Sequence, residues 1–360
     1  MNSASASEAD ELSLVDFAPR SMLKVEHHTI DQPAFPVIDA HNHLGSSFPG
    51  VDKMAPSELL EVLDESRVEA IVDLDGGQGD DLGQEIDRWR TTDRVLVFAG
   101  LDYGMWTTEE RFGEIEAGRL RESFHRGARG LKVWKTLGLR ARDPQGQLIA
   151  VDDERLDPLF EAAGELGLPV LIHVSDPLAF FEPLDKTNER WEELYAHPDW
   201  HFWQATGEGR ADEQPAPRAE NVLAALDRRI GRHPDTTFVG AHVASAAENL
   251  ALVGDLLGRH PNLCVDLAER INELGRQPYT ARSFFVEHAD RILFGLDRPV
   301  RADLYRIYYR FLETLDESFD YGVEEVPRQG RWQIYGLGLP DEVLHAVYSG
   351  NARRILWPSN

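Results

Sequence analysis

Along residues 36–298 the chain alternates short apolar runs with segments of helical periodicity. The apolar runs fall at Pro36–His43, Glu69–Gly76, Arg94–Asp102, Arg129–Lys135, Pro169–Asp176, Thr236–Val243, Asn262–Glu269 and Arg291–Arg298. Several are nearly unbroken Val, Ile and Leu, the pattern of strands covered on both faces. Between them lie helix signals. Pro56 and Ser57 open a segment that places Leu59, Leu60 and Leu63 on one side, and Asp152 or Asp153 caps another that stops at Gly167 before Pro169. Further helices are predicted from Ala244 to a stop at His260-Pro261, over "PYTARSFFVEHAD", and over the closing "LPDEVLHAVYSGNARRIL". Eight strand–helix units in succession predict an α/β fold, a closed (β/α)8 TIM barrel. A doubly wound open sheet is the competitor, but no Gly-rich phosphate loop follows the first strand.

The barrel carries decorations. Residues 1–22 lack the basic and apolar regions of a signal peptide and read as a flexible acidic tail ahead of a single domain spanning 23–360. Two long insertions leave the C-terminal ends of strands five (Asp176–Asn221) and eight (about Arg298–Leu339). The first contains Phe180, Phe181, Trp191, Tyr195, Trp200, Phe202 and Trp203. It is either a self-packed excursion or a lid over an apolar or aromatic substrate.

The strand ends carry the candidate chemistry. "AFPVIDAHNHLG" finishes the first strand with His41 and His43, which a period of two places on one side. Strand five delivers His173, strand six His242 and strand eight Asp297. One histidine at a strand end is usually structural; five metal-competent residues at the same end of four strands point to a shared metal site. Three imidazoles and a carboxylate suit zinc, with Mn, Fe and Co also accommodated. Strand four offers Lys132 and Lys135, three apart and so on opposite sides; Lys132, in register with Trp134, is the one expected to line the pocket. Arg298 is a candidate clamp for a substrate carboxylate or a surface ion-pair partner. Asp39 is expected on the same side as His41, and Asp266 and Glu269 are weaker rim candidates.

His-x-His on strand one, His173, His242 and Asp297 together resemble the amidohydrolase superfamily of metal-dependent hydrolases. The chain is more narrowly similar to the branch that includes aminocarboxymuconate semialdehyde decarboxylase, from about Pro36 to Leu356. The resemblance implies His41, His43, His173 and Asp297 as metal ligands, with His242 and Asp297 as acid–base residues. It also implies one divalent ion rather than two, leaving Lys132 to pair with an anionic substrate group. A divalent ion lowers the pKa of bound water from about 15.7 to about 7. The leading expectation is therefore hydrolysis of a small-molecule ester, lactone or amide-like substrate. The alternatives are nonoxidative decarboxylation of an aromatic or unsaturated carboxylic acid, and a catalytically silent metal-binding scaffold.

Composition narrows the partners. A formal net charge of −26 repels nucleic acid and anionic membranes. No run of about 18 apolar residues occurs. The one cysteine, Cys264, excludes a disulfide within the chain and sits in an apolar run as a core thiol. A cytoplasmic enzyme acting on a small molecule is the expectation, and analogy with barrels of this kind suggests a homodimer.

Overall fold

The computed structural model describes Ser13 and residues 20–202 and 217–357. Trp203 and nearly all of the expected acidic tail lie outside the described residues. All eight expected strands form: β1 Val37–Asn42, β2 Val68–Asp73, β3 Val95–Val97, β4 Leu131–Val133, β5 Val170–Ile172, β6 Phe238–Gly240, β7 Leu263–Asp266 and β8 Ile292–Leu293. They are shorter than the apolar runs because the C-terminal residues of most runs leave the ladder. Those released residues build the mouth.

Every strand pair is parallel, in two ladders, β1-β2-β3 and β4-β5-β6-β7-β8. Backbone hydrogen bonds span both seams. Arg129 N donates to Val97 O (2.9 Å) and Lys132 N to Ala99 O (2.7 Å) between β3 and β4. Ala40 N donates to Phe294 O (2.9 Å) and Asp297 N to His41 O (2.8 Å) between β8 and β1. The last of these fixes two of the predicted site residues against each other.

The core has two parts. Ile38, Ala40, Val72, Phe98, Leu171, Val239, Cys264 and Leu293 form one cluster inside the ring. Ala352, Ile355 and Leu356 of the closing helix pack with it and plug the end opposite the mouth. Cys264 is buried there, as its apolar context predicted. The larger cluster joins the outer strand faces to the surrounding helices. In α1 (Pro56–Glu65), Leu59 and Leu63, four apart, are both buried, and Glu58 accepts from the Ala55 N–H at 2.7 Å to cap the start.

The helix that follows β8, Ala302–Glu313, turns three tyrosines inward around Phe294. The Tyr305 hydroxyl donates to Asp39 Oδ2 (2.7 Å), Tyr308 to Leu296 O (3.2 Å) and Tyr309 to Ser66 O (2.8 Å). Buried hydroxyls that find partners in this way tie the helix to the loop carrying Asp297.

One helix differs from expectation. The segment after β6 does not become helical at Ala244; the regular helix is Leu250–Arg259, capped by the Asn249 side chain at 3.1 Å from Leu252 N. His242, Val243, Ala244 and Ser245 instead form a left-handed turn with φ of 58°, 57°, 52° and 58°. L-residues avoid that region at about 1–2 kcal/mol each. Ser245 N closes the turn onto Ala241 O at 2.8 Å.

The insertion after β5 packs on itself. Phe181 stacks on Phe202 (centroids 4.9 Å), Trp191 on Tyr195 (4.8 Å) and His197 on Trp200 (4.1 Å), while Phe180 and Leu194 are buried. Its described part also pairs with the rest of the chain, Glu189 with Arg276 and Glu192 with Arg331. Among the described residues, no helix is long and apolar enough to cross a membrane.

Candidate metal centre

β1 is irregular where the chemistry begins. Its register against β2 shifts between Asp39 and Asn42, so the simple alternation breaks there. His41 and His43 both reach the mouth, with ring centroids 5.8 Å apart. Asp39, expected beside them, faces the other way. It accepts from His41 N (3.2 Å), Leu296 N (3.0 Å), Asn42 Nδ2 (2.8 Å) and the Tyr305 hydroxyl. Burial raises its carboxyl to about 6 against those bonds. Asp39 acts on the site through backbone, by holding β1 to the loop after β8.

Three imidazoles converge on Asp297. His41 Nε2 lies 3.6 Å and His242 Nε2 3.5 Å from Asp297 Oδ2, and His43 Nε2 lies 3.4 Å from Oδ1. Ligand atoms set about 2.1 Å from an ion at tetrahedral angles stand about 3.4 Å apart. The spacing is thus that of donors sharing one ion. Their atoms form two overlapping metal-competent groups, His41–His43–Asp297 and His41–His242–Asp266.

The opposite ring nitrogens fix each orientation. His41 Nδ1 is 2.9 Å from Asp266 Oδ2, His43 Nδ1 is 2.7 Å from Asp75 Oδ1, and His242 Nδ1 is 2.8 Å from Ala268 O. A carbonyl or carboxylate can only accept, so the proton sits on Nδ1 and the Nε2 lone pair faces Asp297. Asp266 also accepts from His242 N (2.9 Å) and Ala268 N (3.1 Å), linking strands one, six and seven. Asp75 is further held by the Ser47 hydroxyl at 2.8 Å.

His173 is placed differently. Its Nε2 is 2.9 Å from Ser175 O and 3.7 Å from Asp176 Oδ1, which leaves Nδ1 as its acceptor nitrogen. Its ring centroid is 4.4 Å from that of His242. The structure therefore gathers His41, His43, His242 and Asp297 tightly and sets His173 alongside.

Lys132 is fully buried in the ring, its Nζ 3.4 Å from His41 Nε2 and 4.8 Å from the Trp134 ring. Trp134 stacks on His43 at 4.9 Å between centroids and forms one wall. Lys135 is turned to Asp176 at 2.5 Å. Arg298, a candidate clamp for a substrate carboxylate, is buried between Glu269 (3.1 Å) and Glu324 (2.5 Å). Those two anions neutralise it, so the buried ion-pair role replaces the clamp.

The electrostatics follow from burial. It pushes His41 well below its ordinary range, with the Lys132 charge adding, and lowers His242 likewise, with the His173 and Arg270 charges adding. It takes His173 to about 4 and Lys132 to about 8. It raises Asp266 to about 6. Burial also opposes ionisation of Asp75, but the hydrogen bonds from His43 and Ser47 outweigh it and hold that carboxyl below its usual range. Neutral imidazoles with anchored tautomers are the form that binds a divalent cation.

Asp75 was not singled out from sequence, and Asp266 ranked only as a rim residue. The available signal was a carboxylate at the end of strands two and seven, in "VDLDG" and "CVDLA".

The family model described as Amidohydrolase matches residues 38–356. No curated protein matches the chain. Among solved structures, an uncharacterised TIM-barrel protein of Bordetella bronchiseptica is similar at 16% identity, covering 89% of this chain and 98% of that one, with a TM-score of 0.53. A dihydroxybenzoic acid decarboxylase of a Polaromonas species, solved with manganese and 2-nitroresorcinol, matches at 14% identity, 89% and 96% coverage and a TM-score of 0.54. An amidohydrolase of Burkholderia multivorans with bound zinc matches at 14% identity, 89% and 99% coverage and a TM-score of 0.51. These likenesses bear out the barrel fold, and the match along nearly the whole domain makes this chain a member of the amidohydrolase family of metal-dependent enzymes.

Proposed function

We propose that the chain is a metal-dependent decarboxylase of an aromatic or unsaturated carboxylic acid. The observation that carries this reading is the company the donor cluster keeps. A buried ammonium, Lys132, with no carboxylate within ion-pair distance among the described residues, and an indole wall, Trp134, face the same mouth. A planar anion fits between them better than a neutral ester or amide does. The decarboxylase among the similar structures agrees in fold class alone.

In this reading His41, His43 and Asp297 would hold the ion with His173 through Nδ1 as a fourth donor, leaving His242, which is also at donor spacing from Asp297, to move the proton. When bound, the ion would supply an electrophile that draws electron density from the acid's oxygens. Lys132 binds and orients the substrate anion, and Trp134 keeps the ring in plane. The carbon–carboxylate bond breaks, its electron pair stays on the carbon, and carbon dioxide leaves. A proton from solvent then replaces it, moved to that carbon by the His242 Nε2–Asp297 Oδ2 pair, 3.5 Å apart.

A second reading, hydrolysis, rests on His242 being held neutral by burial, as a base toward water requires. Metal-loaded protein in 18O-water, offered aromatic acids, lactones and amides, separates the two. Carbon dioxide released with no label in the organic product supports the decarboxylase. Label appearing in a newly formed acid, without carbon dioxide, rejects it in favour of hydrolysis.

A further inference from the structure

Each of the three tightly gathered imidazoles is pinned from another strand. His41 is held by Asp266 at the end of β7, His43 by Asp75 after β2, and His242 by Ala268 after β7. His173 differs. Its Nε2 meets the Ser175 carbonyl at 2.9 Å, two residues along its own loop. That bond travels with the ring and does not set where the ring stands in the barrel. A donor keeps its orientation when something outside its own segment holds it.

Asp176 supplies such a hold. It is 5% exposed, its Oδ1 lies 3.7 Å from His173 Nε2, and its Oδ2 is 2.5 Å from Lys135 Nζ. Lys135 follows β4, the neighbour of β5 in the ladder. Its own place is fixed, because the Tyr103 hydroxyl accepts from Trp134 N at 2.9 Å and donates to Trp134 O at 3.4 Å. The ion pair therefore ties the loop after β5 to the loop after β4, with its carboxylate on the N–H side of the His173 ring. A negative charge on that side favours the proton on Nε2 and leaves Nδ1 for a cation. The Lys135 ammonium in turn compensates a carboxylate that burial would otherwise strand. Neither residue has a part in the decarboxylation or the hydrolysis described above.

We propose that Asp176 is the positioning residue of His173 and that Lys135 holds Asp176 in place, so that this ion pair sets how firmly the fourth donor joins the ion. The inference rests on His173 as that donor, and it is independent of which reaction the centre performs.

The test is a mutant cycle read by zinc affinity and by the visible spectrum of the cobalt(II)-loaded protein, which reports the number and geometry of donors. Asp176→Asn keeps the shape and removes the charge. Zinc should bind about tenfold or more weakly, and the cobalt bands should move toward those of His173→Ala. In the His173→Ala background the same exchange should change zinc affinity less than about threefold, because Asp176 acts through that ring. Lys135→Gln should repeat the loss in smaller measure, and Lys135→Arg should recover most of it. Melts of metal-free protein separate positioning from a purely structural role. A lowered Tm with zinc affinity and cobalt spectrum unchanged overturns the inference, and so does a loss of affinity that is equally large without His173. If Asp176→Asn does not fold, Lys135→Gln, where the side chain is 32% exposed, carries the same cycle, and wild-type affinity and spectrum in it overturn the inference. Wild-type zinc affinity in His173→Ala removes that residue from the ligand set and the inference with it, whereas a weakened His173→Ala beside a wild-type Asp176→Asn overturns the inference alone.

Discussion

Replacing Asp266 by asparagine tests the logic of the centre most directly. Asp266 is fully buried and accepts three hydrogen bonds, from His41 Nδ1, His242 N and Ala268 N. Burial raises its pKa to about 6, so at pH 7.5 it is a carboxylate. Asparagine has the same shape but one oxygen. If that oxygen keeps the two backbone N–H groups, the amide NH2 meets His41 Nδ1. The ring must then carry its proton on Nε2, the nitrogen that faces Asp297, and it can no longer bind a cation. Loss of such an orienting partner costs about 10- to 100-fold in metal affinity, equivalent to about 1.4–2.7 kcal/mol. Alanine at the same place strands three donors at about 1–3 kcal/mol each, a loss comparable to the whole stability of a domain. The Asp266→Asn protein should therefore fold with a modestly lowered Tm, whereas the alanine variant should be largely unfolded. Competition against a fluorescent zinc chelator reads the affinity, and thermal melts of metal-free protein read the stability. Wild-type zinc affinity in Asp266→Asn would refute the tautomer argument.

Three further expectations follow from the same geometry. Asp75→Asn should weaken metal binding by about tenfold or more through His43, while Ser47→Ala, which removes one of the bonds to Asp75, should change it less than threefold; chelator competition compares them. Because His173 is lowered to about 4 and His41 falls well below its ordinary range, these two ligand rings stay neutral as pH drops through about 6.5, and protons compete with the ion at them only further down. Zinc affinity should thus fall less than about tenfold between pH 7.5 and 5.5, where three exposed imidazoles would lose about a thousandfold; the steeper loss would contradict the burial argument. Gly295→Ala would set a methyl 2.8 Å from His41 Cβ and 3.2 Å from Ala268 Cβ, so kcat should drop about tenfold or more with stability lowered by about 1–3 kcal/mol, checked by turnover and melting.

Much of this architecture is legible in the chain itself. The eight strands announce themselves because parallel strands are apolar on both faces, and the histidines and Asp297 stand out because each ends such a run. What sequence does not show is pairing over distance. His41 meets Asp266 across 225 positions, and nothing local distinguishes that carboxylate from Glu269, which instead neutralises Arg298. Which of the two roles open to Arg298 it takes is hidden for the same reason, since Glu324, from the insertion, decides it. Asp39 was misplaced because strict alternation was assumed where β1 slips its register. The helix was expected to start at Ala244 because Ala-rich sequence favours helix, and left-handed backbone in residues other than glycine leaves no mark in composition.

That left-handed turn inverts an ordinary rule of protein engineering. In a right-handed helix, exchanging alanine for glycine loosens the molecule; at Ala244, glycine would relieve an unfavourable backbone by more than the single buried methyl it removes and raise the melting temperature. The same exchange would free the hinge on which the His242 ring is mounted. A selection for heat tolerance alone should therefore favour glycine at this position and return sturdier, slower catalysts, which makes it a sensitive marker of what the natural chain has been kept for.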